Sequence, residues 1–116
     1  MAVSNKMARL NEDMKRELIG IVSAMKDPRV QGLLTIMRVE VAPDLSTAKV
    51  YVSKMGTDGG AKEAAEALNR AQGHVRSEVA KRMHIRRAPE FTFVPDEGAV
   101  YAAHINELLA GLHEKD

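Results

Sequence analysis

Six cations fall between residues 70 and 87: Arg70, Arg76, Lys81, Arg82, Arg86 and Arg87. Glu78 is the one carboxylate in that stretch, a local balance of +5 in a chain whose net charge is +1, so the remaining residues together carry −4. Guanidinium and ammonium groups gathered this way neutralise phosphates, and the asymmetry points to a polyanionic partner. Between them lie an amide donor, Gln72, a residue that lets another backbone approach closely, Gly73, and an imidazole, His74. Exposed lysines and arginines often do no more than keep a protein in solution; the clustering sets this run apart.

The element that must position these groups is helical. Leu68, Ala71, Val75, Val79 and Met83 recur at three- and four-residue steps, which predicts a helix over Lys62 to Arg87 with one stripe facing a core. Arg70, His74, Ser77 and Lys81 share the opposite, outward stripe. The phase continues through Gly73. A glycine within a helix costs about 1 kcal/mol relative to alanine, so it serves close packing against a sheet, a bend, or a close approach by nucleic acid. A bend at Ala71 and Gly73 would expose amides at the start of the second helical segment, where the local dipole favours phosphate, with Arg76 and Lys81 nearby.

A chain of 116 residues fits one domain, residues 1–116, able to bury a core without staples. The absence of cysteine excludes disulfides, Cys-containing zinc sites and a thiol nucleophile, and suits a reducing compartment. Met1 to Arg9 lacks the apolar core of a signal peptide, and no run approaches the length of a membrane span, so the sequence reads as soluble and cytoplasmic, with no membrane partner. The aromatics are Tyr51, Phe91, Phe93 and Tyr101, too few for a platform that stacks successive bases.

Met7, Leu10, Met14, Leu18, Ile21, Val22 and Met25 predict an amphipathic helix over residues 5–26, with Ser4 or Asn5 as cap and Asp27-Pro28 as stop. Its methionines read as flexible core filling. Leu34 to Val41 alternates, with Met37, Val39 and Val41 on one face and Ile36, Arg38 and Glu40 on the other. After the turn at Pro43 to Ser46, Thr47 to Met55 alternates again, Ala48, Val50 and Val52 inward and Lys49, Tyr51 and Ser53 outward, so the two strands form a hairpin that sets Glu40 opposite Lys49. Residues 55–60 read as a connector with Thr57 or Asp58 as helix cap, because the glycines lack the spacing of nucleotide-binding loops. Glu90 to Val94 predicts a third strand with Phe91 and Phe93 inward, ended at Pro95 to Gly98, and Val100, Ile105, Leu108, Leu109 and Leu112 predict a closing helix. The order is helix, strand, strand, kinked helix, strand, helix: an α+β class with helices covering a three-stranded sheet.

Four stretches carry a specific resemblance: Asp27-Pro28-Arg29-Val30, Asp44 to Val52, Ala71-Gln72-Gly73-His74-Val75-Arg76, and Arg86 to Phe93 with Asp96. In this order and register the chain resembles the ribosome-binding factor A family, bacterial assembly factors of the small ribosomal subunit. The resemblance implies a type II KH-like domain whose GxxG loop is replaced by an interrupted helix carrying Ala71-Gln72-Gly73. It implies binding to ribosomal RNA of the immature small subunit late in ribosome biogenesis and rRNA processing, with particular importance in the cold. Many relatives run on into a longer polar tail, whereas this sequence ends at Asp116. With the charge pattern, the expected RNA-binding residues are Arg70, Gln72, Gly73, His74, Arg76, Lys81, Arg82, Arg86 and Arg87. Arg38, Lys49 and Tyr51 on the outer sheet face are weaker candidates.

Enzymatic chemistry finds no footing. His74, His84, His104 and His113 lack metal-ligand spacing, no serine is placed with a histidine and a carboxylate, and Asp96-Glu97 suits a turn. No cofactor or metal is expected, and without a phosphate loop release from the subunit falls to the ribosome or a separate release factor. The free protein is expected to be a monomer. The rival reading is a protein-interaction module that docks on an acidic protein or self-associates through its methionine-rich first helix.

Overall fold

Apolar alternation and the turn after Val41 fold strands β1 (Leu34–Val41) and β2 (Thr47–Lys54) into an antiparallel hairpin. In the computed structural model, which describes residues 5–55 and 59–96, the pairs Ile36 with Val52, Val39 with Val50 and Val41 with Ala48 point into the core. The register slips between Ile36 and Arg38, leaving Met37 as an extra residue. This bulge corrects the expected facing: Ile36 is buried and Met37 is exposed, because one inserted residue inverts every side chain on one side of it. Ser53 also departs from expectation and is buried. Glu40 does stand opposite Lys49, but its ion pair runs along its own strand to Arg38 at 2.9 Å, and that guanidinium lies 4.0 Å above the centre of the Tyr51 ring.

Strand β3 (Glu90–Pro95) joins β2 in parallel, giving the order β1-β2-β3. A parallel neighbour needs a crossover, and helices α2 (Gly60–Arg70) and α3 (Gln72–Met83) supply it. Helix α1 (Asn5–Ala24), two residues shorter at its end than its periodicity predicts, lays Met14, Leu18, Ile21 and Val22 on the same core. These join Leu68, Val75, Val79, Phe91 and Phe93 in one apolar cluster between the helices and one sheet face. Asp27 caps the short turn Pro28–Val30 and binds Arg29 through its backbone N–H, Nε and Nη2. Those bonds, side chain first, hold the Asp27 carboxyl down at about 2. The arrangement is α+β, as the sequence order implies, and KH-like, as the resemblance implies; Ser4, Thr57, Asp58, Glu97 and the expected closing helix lie outside the described residues.

Candidate nucleic-acid interface

The segment expected as one bent helix is two helices separated by a single residue. Ala71 sits at φ −89°, ψ 19°, closes α2 by donating to the carbonyls of Ala67 and Leu68, and opens α3 by accepting from the Val75 N–H at 3.0 Å. The interruption therefore centres on Ala71 rather than Gly73. No side chain caps α3, so the amides of Gln72, Gly73 and His74 stand ahead of its first closed turn. Gly73 is exposed, its φ is not positive, and an added Cβ would meet nothing within 4 Å among the described residues. Of the roles open to it, close packing against the sheet is excluded, and neither the bend nor the backbone conformation requires a glycine.

The helix also ends earlier than its charge pattern suggested. His84 takes the left-handed conformation (φ 54°), and the amides of His84 and Ile85 turn back to the carbonyls of Lys81 and Ala80. Arg86 and Arg87 consequently lie on the non-helical approach to β3, exposed and free of ion pairs among the described residues. Arg70, His74, Ser77 and Lys81 are exposed, as the outward stripe requires. Arg70 bonds weakly to the Glu66 carbonyl of its own helix at 3.4 Å, and Lys81 lies 3.5 Å from Glu78.

Three of the expected contact residues reach partners outside their own helix. Gln72 accepts from the Phe91 N–H and donates to the Phe91 carbonyl, and three residues earlier Asn69 does the same for Phe93 at 2.8 and 3.0 Å. The next outward position on that strand edge is Pro95, which has no donor. Two side-chain amides and a proline thus close the edge of β3 where a fourth strand would pair. Both Gln72 side-chain groups being engaged, its backbone is what remains to offer a ligand. Arg76 donates to the Ala88 carbonyl at 3.0 Å while its other donors stay unpaired among the described residues. Arg82 crosses to α1, 4.0 Å from both Glu17 and Glu78 and lying over Gly20, where an added Cβ would come within 2.9 Å of its Nη1. Arg82 is a seam residue between helices, a role its charge alone could not reveal.

Asn69 escaped the sequence reading because a polar residue beside the apolar stripe looks like part of a solvated face; its three-residue spacing from Gln72 was the available signal. Among the described residues no cluster of histidines and carboxylates could hold a metal, and no helix is long and apolar enough to cross a membrane. What the site offers is an uncapped helix start with an open glycine beside it, flanked by cations on α3 and on the segment before β3.

The family model for ribosome-binding factor A matches residues 6–109. Ribosome-binding factor A of Desulfitobacterium hafniense is 45% identical over 109 residues, covering 93% of this chain and 86% of the relative. The solution structure of a Thermotoga maritima protein described as a ribosome binding factor A superposes with a TM-score of 0.73 at 36% identity, over 84% of this chain and 93% of that one. A homology model of the Thermus thermophilus factor, fitted into the cryo-EM map of a 30S–RbfA complex, gives 0.64 at 34% identity, over 78% of this chain and 96% of that one.

Proposed function

The chain belongs to the ribosome-binding factor A family, and from that premise we propose that it is a non-catalytic assembly factor, one RNA-binding domain that docks on the precursor small ribosomal subunit. The observation that carries the reading is the junction of α2 and α3, where three amides precede the first closed turn of an uncapped helix beside Gly73 and its open space. Backbone donors at a helix start favour an anion, and the absence of a Cβ lets a phosphate backbone approach them closely. Arg70 and His74 face outward beside that start, Lys81 faces outward in the last turn of α3, and Arg86 and Arg87 extend the positive surface toward β3. Such contacts position RNA and carry little base information, so recognition there rests on RNA shape.

Within the proposal, Gln72 contributes its backbone, and Arg82 lies over the α1–α3 seam, 4.0 Å from Glu17 and Glu78, rather than meeting phosphate. The factor acts in the cytoplasm late in small-subunit maturation, with its strongest demand in the cold, and it departs through the ribosome or another factor. The Thermus thermophilus relative fitted into a 30S complex supports the small subunit as partner.

Reversing charge at two exposed cations whose only contacts lie within their own helices, Arg70→Glu with Lys81→Glu, tests the site. The double variant is expected to keep its circular dichroism spectrum and lose co-sedimentation with immature small subunits. Undiminished co-sedimentation rejects the site, and a complex that survives RNase favours docking on protein.

A further inference from the structure

Three stretches far apart in sequence meet at one open cleft of about 470 Å3: the hairpin turn with Asp44, Leu45 and Thr47, Arg76 on α3, and Arg87 and Glu90 at the approach to β3. That volume falls within the roughly 300–1,000 Å3 of small-ligand sites. The walls differ in what they have left to give. Asp44 is committed to its own turn, accepting from the Ser46 N–H at 3.1 Å and hydroxyl at 2.7 Å. Arg76 spends one donor on the Ala88 carbonyl. Arg87 and Glu90 are exposed, and among the described residues their side chains make no hydrogen bond or ion pair. Leu45, held in the left-handed conformation at φ 63° and 51% exposed, puts an apolar side chain in the lining.

An ionised carboxylate only accepts hydrogen bonds, and its two oxygens match two neighbouring donors. Among the four RNA bases, guanine alone presents such a pair on its Watson–Crick edge, N1–H and N2–H. Adenine and cytosine set a donor beside an acceptor, and uracil has one donor flanked by acceptors. An unstacked base is also the form in which single-stranded RNA is read by side chains. We propose that this cleft receives one unstacked guanosine of the bound RNA, its base edge donating to Glu90, its phosphate facing Arg87 and Arg76, and its ring face against Leu45. The inference rests on the RNA-binding reading and adds to it a point of base selection, separate from the helix junction where shape is read.

The test uses two single-stranded oligouridines, one with a single central guanosine and one with adenosine in its place. The intact chain is expected to bind the guanosine RNA about fivefold or more tightly, the low end of what one bidentate pair discriminates. That RNA is also expected to shift the NMR amide signals of Leu45, Arg87 and Glu90. Glu90→Gln, at an exposed position, is expected to keep the fold and remove the preference, because an amide presents one acceptor beside one donor. Equal affinities for the two RNAs, or a preference that Glu90→Gln retains, overturn the assignment. Co-sedimentation of the unaltered chain with precursor subunits separates the two ideas. Subunit binding without guanosine preference discards the cleft alone, whereas a preference at the cleft without subunit binding discards the ribosomal reading alone.

Discussion

Gly20 and Gly73 are both helical glycines, and their surroundings are opposite. At the α1–α3 seam, Gly20 lies beneath the Arg82 guanidinium, which reaches Glu17 and Glu78 only at 4.0 Å. At the α2–α3 junction, Gly73 faces open space while its neighbour Gln72 is bonded to β3 through both side-chain groups. The seam is ionic and loose; the junction is fixed from inside by neutral amides and bare outside. A neighbour that an added Cβ would meet is present at Gly20, though it is only the end of the Arg82 side chain. Nothing among the described residues asks for a glycine at position 73, and the proposed function gives it the approach of RNA.

Substitutions on the two sides should respond accordingly. The largest stability effect is expected at the fixed side of the junction. Gln72→Ala strips the Phe91 N–H and carbonyl of their partners and should cost about 1–3 kcal/mol in chemical denaturation, the usual penalty for leaving partly buried backbone groups unpaired. A loss near zero would mean that water closes that edge as well as the amide does. Next in size, Gly73→Ala should raise stability by up to about 1 kcal/mol, the helix-propensity gain at a site where the new methyl meets nothing. The same substitution should weaken binding to precursor subunits, and a variant that is stabler with unchanged affinity would remove Gly73 from the interface. The smallest effect is expected at the seam. Gly20→Ala pushes aside the end of a flexible, 38% exposed arginine and loosens two ion pairs of the kind worth about 0–1 kcal/mol, against a similar gain in propensity. Its unfolding midpoint should barely move, and a large loss would show the seam to be as rigid as the junction.

Much of the fold was legible because it is written in periodicity. The hairpin, the inward Phe91 and Phe93 and the apolar stripe from Leu68 to Met83 follow from two- and four-residue recurrences that a buried face enforces. The failures share a physical cause, which is that a local break leaves no trace in a pattern of residue types. The bulge at Met37 shifts phase by one residue inside an unbroken run of strand formers. The interruption at Ala71 keeps the apolar stripe in register on both sides, so no proline or change of phase announces it. His84 ends α3 in a conformation usually left to glycine or asparagine. At the site, the outward positions of Arg70, His74 and Lys81 were readable from spacing. The inward engagements of Gln72, Arg76 and Arg82 were not, since each partner comes from an element distant in sequence or, for the Ala88 carbonyl, from backbone that no side chain announces.

The salt dependence of binding to precursor small-subunit RNA tests the central claim most directly. If about five phosphates are neutralised by this surface, the logarithm of the association constant should fall against the logarithm of salt with a slope of about −3.5, as for single-stranded RNA. Arg70→Glu with Lys81→Glu should make the slope shallower by more than about 1, since each phosphate left without its cation removes about 0.7. A slope near zero, or one that the double variant leaves unchanged, would contradict the account.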